Sequence, residues 1–171
     1  MNSRAVLGRK RKGRIVRPAG GADQFRLFCY VFFNFIQRLD RVRRQTFFDD
    51  MELAIITDAI ALSAIEPRMR DGEFRQQYRS VNKVVGVEPQ RGVNALSVAQ
   101  ATGIPRETAR RKIKKLIEYG AVVEVKRGEY VLKPGFLQQK PVQEALDQIM
   151  VDTVRLMNDS LDQGLFAWAP E

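Results

Sequence analysis

Residues Ala95 to Leu132 read ALSVAQATGIPRETARRKIKKLIEYGAVVEVKRGEYVL. Their spacing predicts two short helices, a tight turn and a basic β-hairpin. Gly103 permits the positive φ that a sharp inter-helix turn requires. Ile104 is placed to plug the angle between the helices, and Pro105 suits the first turn of the second helix, where a missing N–H costs nothing. Ala109, Ile113, Leu116 and Ile117 recur at i, i+4, i+7 and i+8, which makes them the buried face of a helix over 105–119. The opposite side collects Arg106, Arg110, Arg111, Lys114 and Lys115, with Lys112 near the edge. Tyr119-Gly120 has the form of a helix C-terminus with Gly at C′. Two segments rich in Val and Tyr follow, 121–125 and 129–133. They are joined by Lys126-Arg127-Gly128, a hairpin with a basic tip, and Pro134-Gly135 closes it.

Upstream, Phe74, Tyr78, Val81 and Val85 predict a helix from Phe74 to about Val85. Residues 86–94 connect it to a short strand over Val93–Leu96. Ser97 and Gln100 fit a capping box opening a helix over 98–102, in which the serine hydroxyl accepts from the Gln100 amide while the glutamine side chain reaches back. The order is helix, short strand, helix, turn, helix, hairpin. With A-x-x-x-G-I-P-R-E-T-A-R-R (Ala99 to Arg111) and I-x-x-L-I-E-x-G (Ile113 to Gly120), this stretch resembles the DNA-binding domains of bacterial winged-helix transcriptional regulators, such as the multiple-antibiotic-resistance-repressor and GntR-type families. The resemblance runs from the helix at 74 to the end of the hairpin at 133 and does not choose between families. It implies a fold that is mainly α with a small β-hairpin wing: a winged helix-turn-helix flanked by long helices. The implied partner is double-stranded DNA. Arg106, Glu107 and Thr108 lie at the helix end that usually meets base edges, with Arg106 and Thr108 reading bases. Arg110, Arg111, Lys114 and Lys115 would sit on phosphates, and Lys126 and Arg127 on backbone or minor groove.

The charge is placed to match. The chain of 171 residues carries a formal net charge of +9, which points to a polyanion partner. Residues 1–22 contribute +7, residues 23–90 contribute 0, residues 91–135 contribute +6 and residues 136–171 contribute −4. The positive excess therefore lies in the motif and in an N-terminal arm, MNSRAVLGRKRKGRIVRPAGGA. That arm lacks apolar periodicity and reads as a disordered basic segment over 1–22, with Arg9, Lys10, Arg11, Lys12 and Arg14 available to phosphates or a minor groove.

The flanks read as helices. Asp23 is placed to cap a helix running to about Arg44, on which Phe25, Phe28, Phe32, Ile36 and Leu39 form one stripe and Leu27, Val31 and Phe35 a second. A helix apolar on more than one side needs two partners. Met51, Ile55, Ala59 and Leu62 predict a helix from Asp49 to about Ile65, ended by Glu66-Pro67, with Asp58 as an edge carboxylate paired to an arginine. The tail over 141–165 is helical, with an acidic side made of Glu144, Asp147, Asp152, Asp159 and Asp162. The organisation expected is a basic arm (1–22), a helical region for dimerisation or sensing (23–70), the DNA-binding domain (71–135) and a C-terminal helix and tail (136–171). The excess apolar surface of helices 23–44 and 142–163 points to a homodimer, with any small-molecule effector unidentified.

Other classes are weakened by composition. One cysteine and no histidine leave no internal disulfide, no zinc site of the usual Cys/His type and no Ser/His/Asp or Cys/His catalytic set. The expectation is a binding protein rather than an enzyme, without metal or cofactor. Cys29, inside FRLFCYVFF, reads as a small buried hydrophobe. The apolar run Leu27–Ile36 is too short to span a bilayer, and no signal-peptide pattern is visible, so the expected place is a bacterial cytoplasm, at the nucleoid. The alternatives are a winged-helix protein-interaction scaffold and a charge-driven RNA- or replication-associated binder.

Overall fold

A computed structural model of the chain describes residues 16–19, 22–47 and 49–168. The basic arm residues Arg9, Lys10, Arg11, Lys12 and Arg14 lie outside the described residues. The chain is mainly helical, with a small three-stranded antiparallel sheet. Among the described residues six α-helices run α1 Phe25–Thr46, α2 Met51–Ile65, α3 Gly72–Gln77, α4 Ala95–Thr102, α5 Arg106–Glu118 and α6 Lys140–Asp162. Five strands accompany them: β1 Val16–Pro18, β2 Val93–Asn94, β3 Val122–Lys126, β4 Glu129–Leu132 and β5 Phe166–Trp168. Among the described residues no helix is long and apolar enough to cross a membrane.

The described residues fall into two compact units, and the division lies within α1 and within α6. The larger unit spans Leu39–Met150. Its sheet has the order β2-β4-β3, with Val93 opposite Tyr130 and Val122 opposite Leu132. Its core is built around α2, which supplies Leu53, Ala54, Ile56, Ile60 and Ala64. Against these pack Val98 of α4, Ala109, Ile113 and Leu116 of α5, Val122 and Val131 of the sheet, and Phe136. The all-round apolar sequence of α2, MELAIITDAIALSAI, is what a helix needs when several elements cover it. Thr57 is the polar exception, and its hydroxyl donates to the Leu53 carbonyl at 2.8 Å.

The smaller unit holds the described residues up to Arg38 and those from Val151. β1 and β5 form an antiparallel ribbon with Val16 opposite Trp168. The Ala19 amide donates to the Leu165 carbonyl at 3.0 Å. The rings of Phe28 and Phe32 stack at 5.5 Å.

Several local expectations are corrected. The helix expected over 74–85 ends at Gln77. Beyond it the Ser80 hydroxyl accepts from the Asn82 amide at 3.3 Å, a local bond that competes with helix, and Val81 and Val84 stay exposed. The strand expected over 93–96 stops at Asn94, because Asn94 caps α4: its side chain accepts from the Ser97 amide at 2.9 Å. That replaces the capping box at Ser97, and the helix starts three residues earlier than expected. Cys29 is exposed rather than buried, as are Phe25 and Phe28 of the expected apolar stripe. They lie on parts of α1 that none of the described residues buries. Asp152, expected on the acidic outer side of the tail, is only 3 % exposed because it pairs with Arg38 at 2.9 Å.

Candidate nucleic-acid interface

The turn between α4 and α5 is set by backbone chemistry. Gly103 closes α4 in the left-handed region at φ 73°. The Thr102 hydroxyl donates to the Val98 carbonyl at 2.8 Å and accepts from the Ile104 amide at 3.2 Å, so one side chain satisfies both sides of the turn. Ile104 packs against the core as the plug. Pro105 stands just before α5, and its carbonyl accepts from the Ala109 amide at 2.9 Å. At the far end, the Ala121 amide donates to the Leu116 carbonyl at 2.9 Å and the Gly120 amide to the Ile117 carbonyl at 3.0 Å. With Gly120 at φ 76° these bonds make a Schellman stop, and Ala121 is buried beneath it.

Between these stops α5 shows two faces. Ala109, Ile113 and Leu116 are fully buried. Ile117, expected with them, is 37 % exposed, since it stands at the margin of the stripe. Arg106, Arg110, Arg111, Lys114 and Lys115 are exposed, and so is Glu107, while Thr108 is half-buried. Arg110 meets Glu107 at 3.4 Å, an exposed contact of little energetic weight. Among the described residues none forms an ion pair with Arg106, Arg111, Lys114 or Lys115. These four cations are exposed around the side of α5 away from the core, and the Lys115 charge also helps hold the Asp50 carboxyl low.

Lys112 does not join them. Its side chain, only 12 % exposed, reaches Asp50 at 2.5 Å and Glu52 at 3.0 Å, just before and within the first turn of α2. Burial alone would lower the Lys112 pKa, but its bonds and charge interactions with the two carboxylates outweigh that and raise it. Burial alone would likewise raise Asp50, yet the Lys112 bond and charge hold it below the ordinary carboxylate value. A second tie runs from the end of α5: the Tyr119 hydroxyl donates to the Thr46 carbonyl at 3.1 Å. The Phe47 ring lies 6.4 Å from the Tyr119 ring and 6.4 Å from Phe136. Reading the chain alone missed both ties. Their partners lie sixty or more residues away, and only the acidic pair Asp50 and Glu52 beside a helix start hinted at a cation.

The hairpin carries the other candidate cations. Lys126 and Arg127 are exposed at its tip, with Gly128 at φ 77°. The ladder is irregular between Glu124 and Lys126, and Lys126 stands opposite Glu129. The Glu124 carboxylate accepts from the Gly128 amide at 2.6 Å, so an acidic side chain bridges the tip and reduces its net positive charge. The structure therefore brings Arg106, Glu107, Thr108, Arg110, Arg111, Lys114 and Lys115 together on α5 and sets Lys126 and Arg127 on the adjoining hairpin. Among the described residues no cluster of His, Cys, Asp or Glu could hold a metal ion. No protein-family model, curated protein or solved structure matches the chain.

Proposed function

We propose that this chain is a sequence-specific double-stranded DNA-binding protein of the winged helix-turn-helix type, a transcriptional regulator acting as a homodimer at the bacterial nucleoid. The observation that carries the reading is the division of α5: three residues locked in the core and, opposite, a row of exposed cations with few carboxylate partners. Such a helix, presented by a tight turn and flanked by a hairpin, suits a major groove. In this role Arg106 and Thr108 read base edges, Arg110, Arg111, Lys114 and Lys115 hold phosphates, and Lys126 and Arg127 lie along the backbone. The dimer reading is supported by Phe25, Tyr30 and Phe33 on α1 and Val151, Val154 and Met157 on α6, all exposed. Clustered exposed apolar side chains commonly mark an interaction surface.

The test is selection of bound duplexes from a random pool, followed by competition of the selected duplex against unrelated duplex and duplex RNA at two salt concentrations. The expected result is a consensus sequence and a preference on the order of a thousandfold or more over unrelated DNA. Equal affinity for all three would make this a charge-driven polyanion binder, and an absence of binding would overturn the reading.

A further inference from the structure

Between α2 and β2 the chain makes an excursion, Glu66 to Arg91, that holds a short turn of helix over Arg68–Arg70 and then α3. Residues 23–90 are neutral as a whole, yet this segment presents a run of cations. Arg68, Arg75, Arg79, Lys83 and Arg91 are exposed, and among the described residues none of them forms an ion pair. The acids of the segment are partly occupied. Glu66 meets Arg70 at 2.9 Å, and the Asp71 carboxylate caps α3 by accepting from the Glu73 amide at 2.9 Å. Glu73 and Glu88 stand exposed.

The excursion is fastened at the base of the hairpin. The Gln90 side-chain amide donates to the Leu132 carbonyl at 3.0 Å, and Leu132 stands opposite Val122 at the end of the ladder remote from the tip. The Arg91 amide donates to the Ala64 carbonyl at 2.9 Å, and the Gln138 side chain, just after the hairpin, donates to the Val81 carbonyl. The C-terminal end of α5 comes to the same base, where the Lys133 amide donates to the Ala121 carbonyl at 2.9 Å. Arg106 begins α5 roughly 20 Å back along the helix, and the hairpin tip is roughly 10 Å further along β4. A duplex met by Arg106 and by the tip is therefore held at the far ends of both elements, and the excursion is left open to a second partner.

The side chains indicate which partner. Four of the five unpaired cations are arginines, whose planar fork takes a phosphate through two parallel N–H bonds. A single strand would also need open aromatic faces for its bases. The segment has two aromatic residues, Phe74 and Tyr78. Phe74 is buried, and the Tyr78 ring has the Phe74 ring at 4.5 Å and the Lys83 ammonium over it at 5.4 Å. With both rings engaged, the segment suits the backbone of a duplex.

We propose that residues 66–91 form a second duplex-binding surface, with Arg68, Arg75, Arg79 and Lys83 on phosphates, so that one chain bridges two DNA segments. The bridging rests on the function proposed above for α5; duplex binding by this surface does not.

The test fixes the selected duplex to beads, adds the full chain and measures retention of a fluorescent unrelated duplex. The unaltered chain retains it. The joint variant Arg68→Gln, Arg75→Gln and Arg79→Gln loses retention and keeps its affinity for the selected duplex, while the same three positions changed to Lys keep both. Anisotropy titration of the unrelated duplex shows the salt slope of the glutamine variant reduced by about two to three. Retention undiminished in the glutamine variant overturns the proposal, since a dimer presenting two α5 helices or the N-terminal arm would then be the bridge. Weaker binding of the selected duplex without retention overturns it too, making these arginines an extension of the first footprint. So does a glutamine variant that changes only the mass in light scattering, which would assign the surface to a second copy. If no consensus sequence emerges but the slope still falls with the glutamine variant, the surface stands and the sequence-specific reading of α5 fails.

Discussion

Arg106 and Lys115 carry the same charge on the same helix, yet different work is expected of them. Arg106 begins α5, the end that would point into a groove, whereas Lys115 lies in its last turn. Arg106→Ala is expected to cost about 1–3 kcal/mol against the selected duplex and to relax the preference at one base position. Lys115→Ala should weaken all duplexes alike and reduce the salt slope by about one. Anisotropy titrations on selected and scrambled duplexes at several salt concentrations separate the two, and the same profile from both variants would contradict the division of roles. At this scale the sequence is readable wherever backbone chemistry decides. Gly103 and Gly120 both take the positive φ their positions demanded, because only glycine adopts it without strain. Cys29 was misread because a residue type carries only an average tendency to be buried, and none of the described residues covers its stretch of α1.

The ion cluster of Lys112 with Asp50 and Glu52 belongs to the scale of elements, since it fastens α5 to the start of α2. Lys112→Met is expected to lower stability by about 1–3 kcal/mol at neutral pH, because it strips a largely buried carboxylate of its charged partner. The sign with pH follows from Asp50, whose folded pKa is depressed. Its contribution is complete above the unfolded aspartate value of about 3.9 and fades as pH falls through the lower folded value. Urea denaturation should therefore show the gap between wild type and Lys112→Met narrowing below about pH 4; a gap that widens in acid would refute the tie. Helical stripes made the elements legible where a partner surface exists, as for Ala109, Ile113 and Leu116 on α5. They misled at 78–85, where Val81 and Val84 keep helical spacing but stay exposed, and a serine-based turn wins. Lys112 looked like one more solvated cation because periodicity fixes a face and says nothing of a distant acid on another helix.

For the whole molecule, the open matter is the apolar surface of the smaller unit. Phe33, 57 % exposed, is one of the α1 residues that would meet a second copy. Light scattering at micromolar concentration should give twice the mass of the chain, and Phe33→Glu should give a monomer with unchanged helical circular dichroism. A monomer before substitution would refute the dimer. The sequence already held the ingredients of this surface, an excess of apolar residues on α1 and α6. It could not say which would be covered, because burial is decided by the partner surfaces a helix finds. The pocket lined by Arg43, Asp58, Phe47 and Leu146 was likewise unreadable, since only tertiary packing brings these residues together.

Uneven fastening of α5 has a consequence for its motions. Its C-terminal end is held by the Schellman bonds, by Tyr119 and, two turns before Tyr119, by Lys112. Pro105 offers no side-chain cap to the first amides, which have no partner inside the helix. Amide exchange should accordingly be graded along it, rapid at Arg106–Thr108 and slow from Ile113 onward. The helix behaves as a stiff arm clamped at one end, with its loose end carrying the side chains that would do the reading.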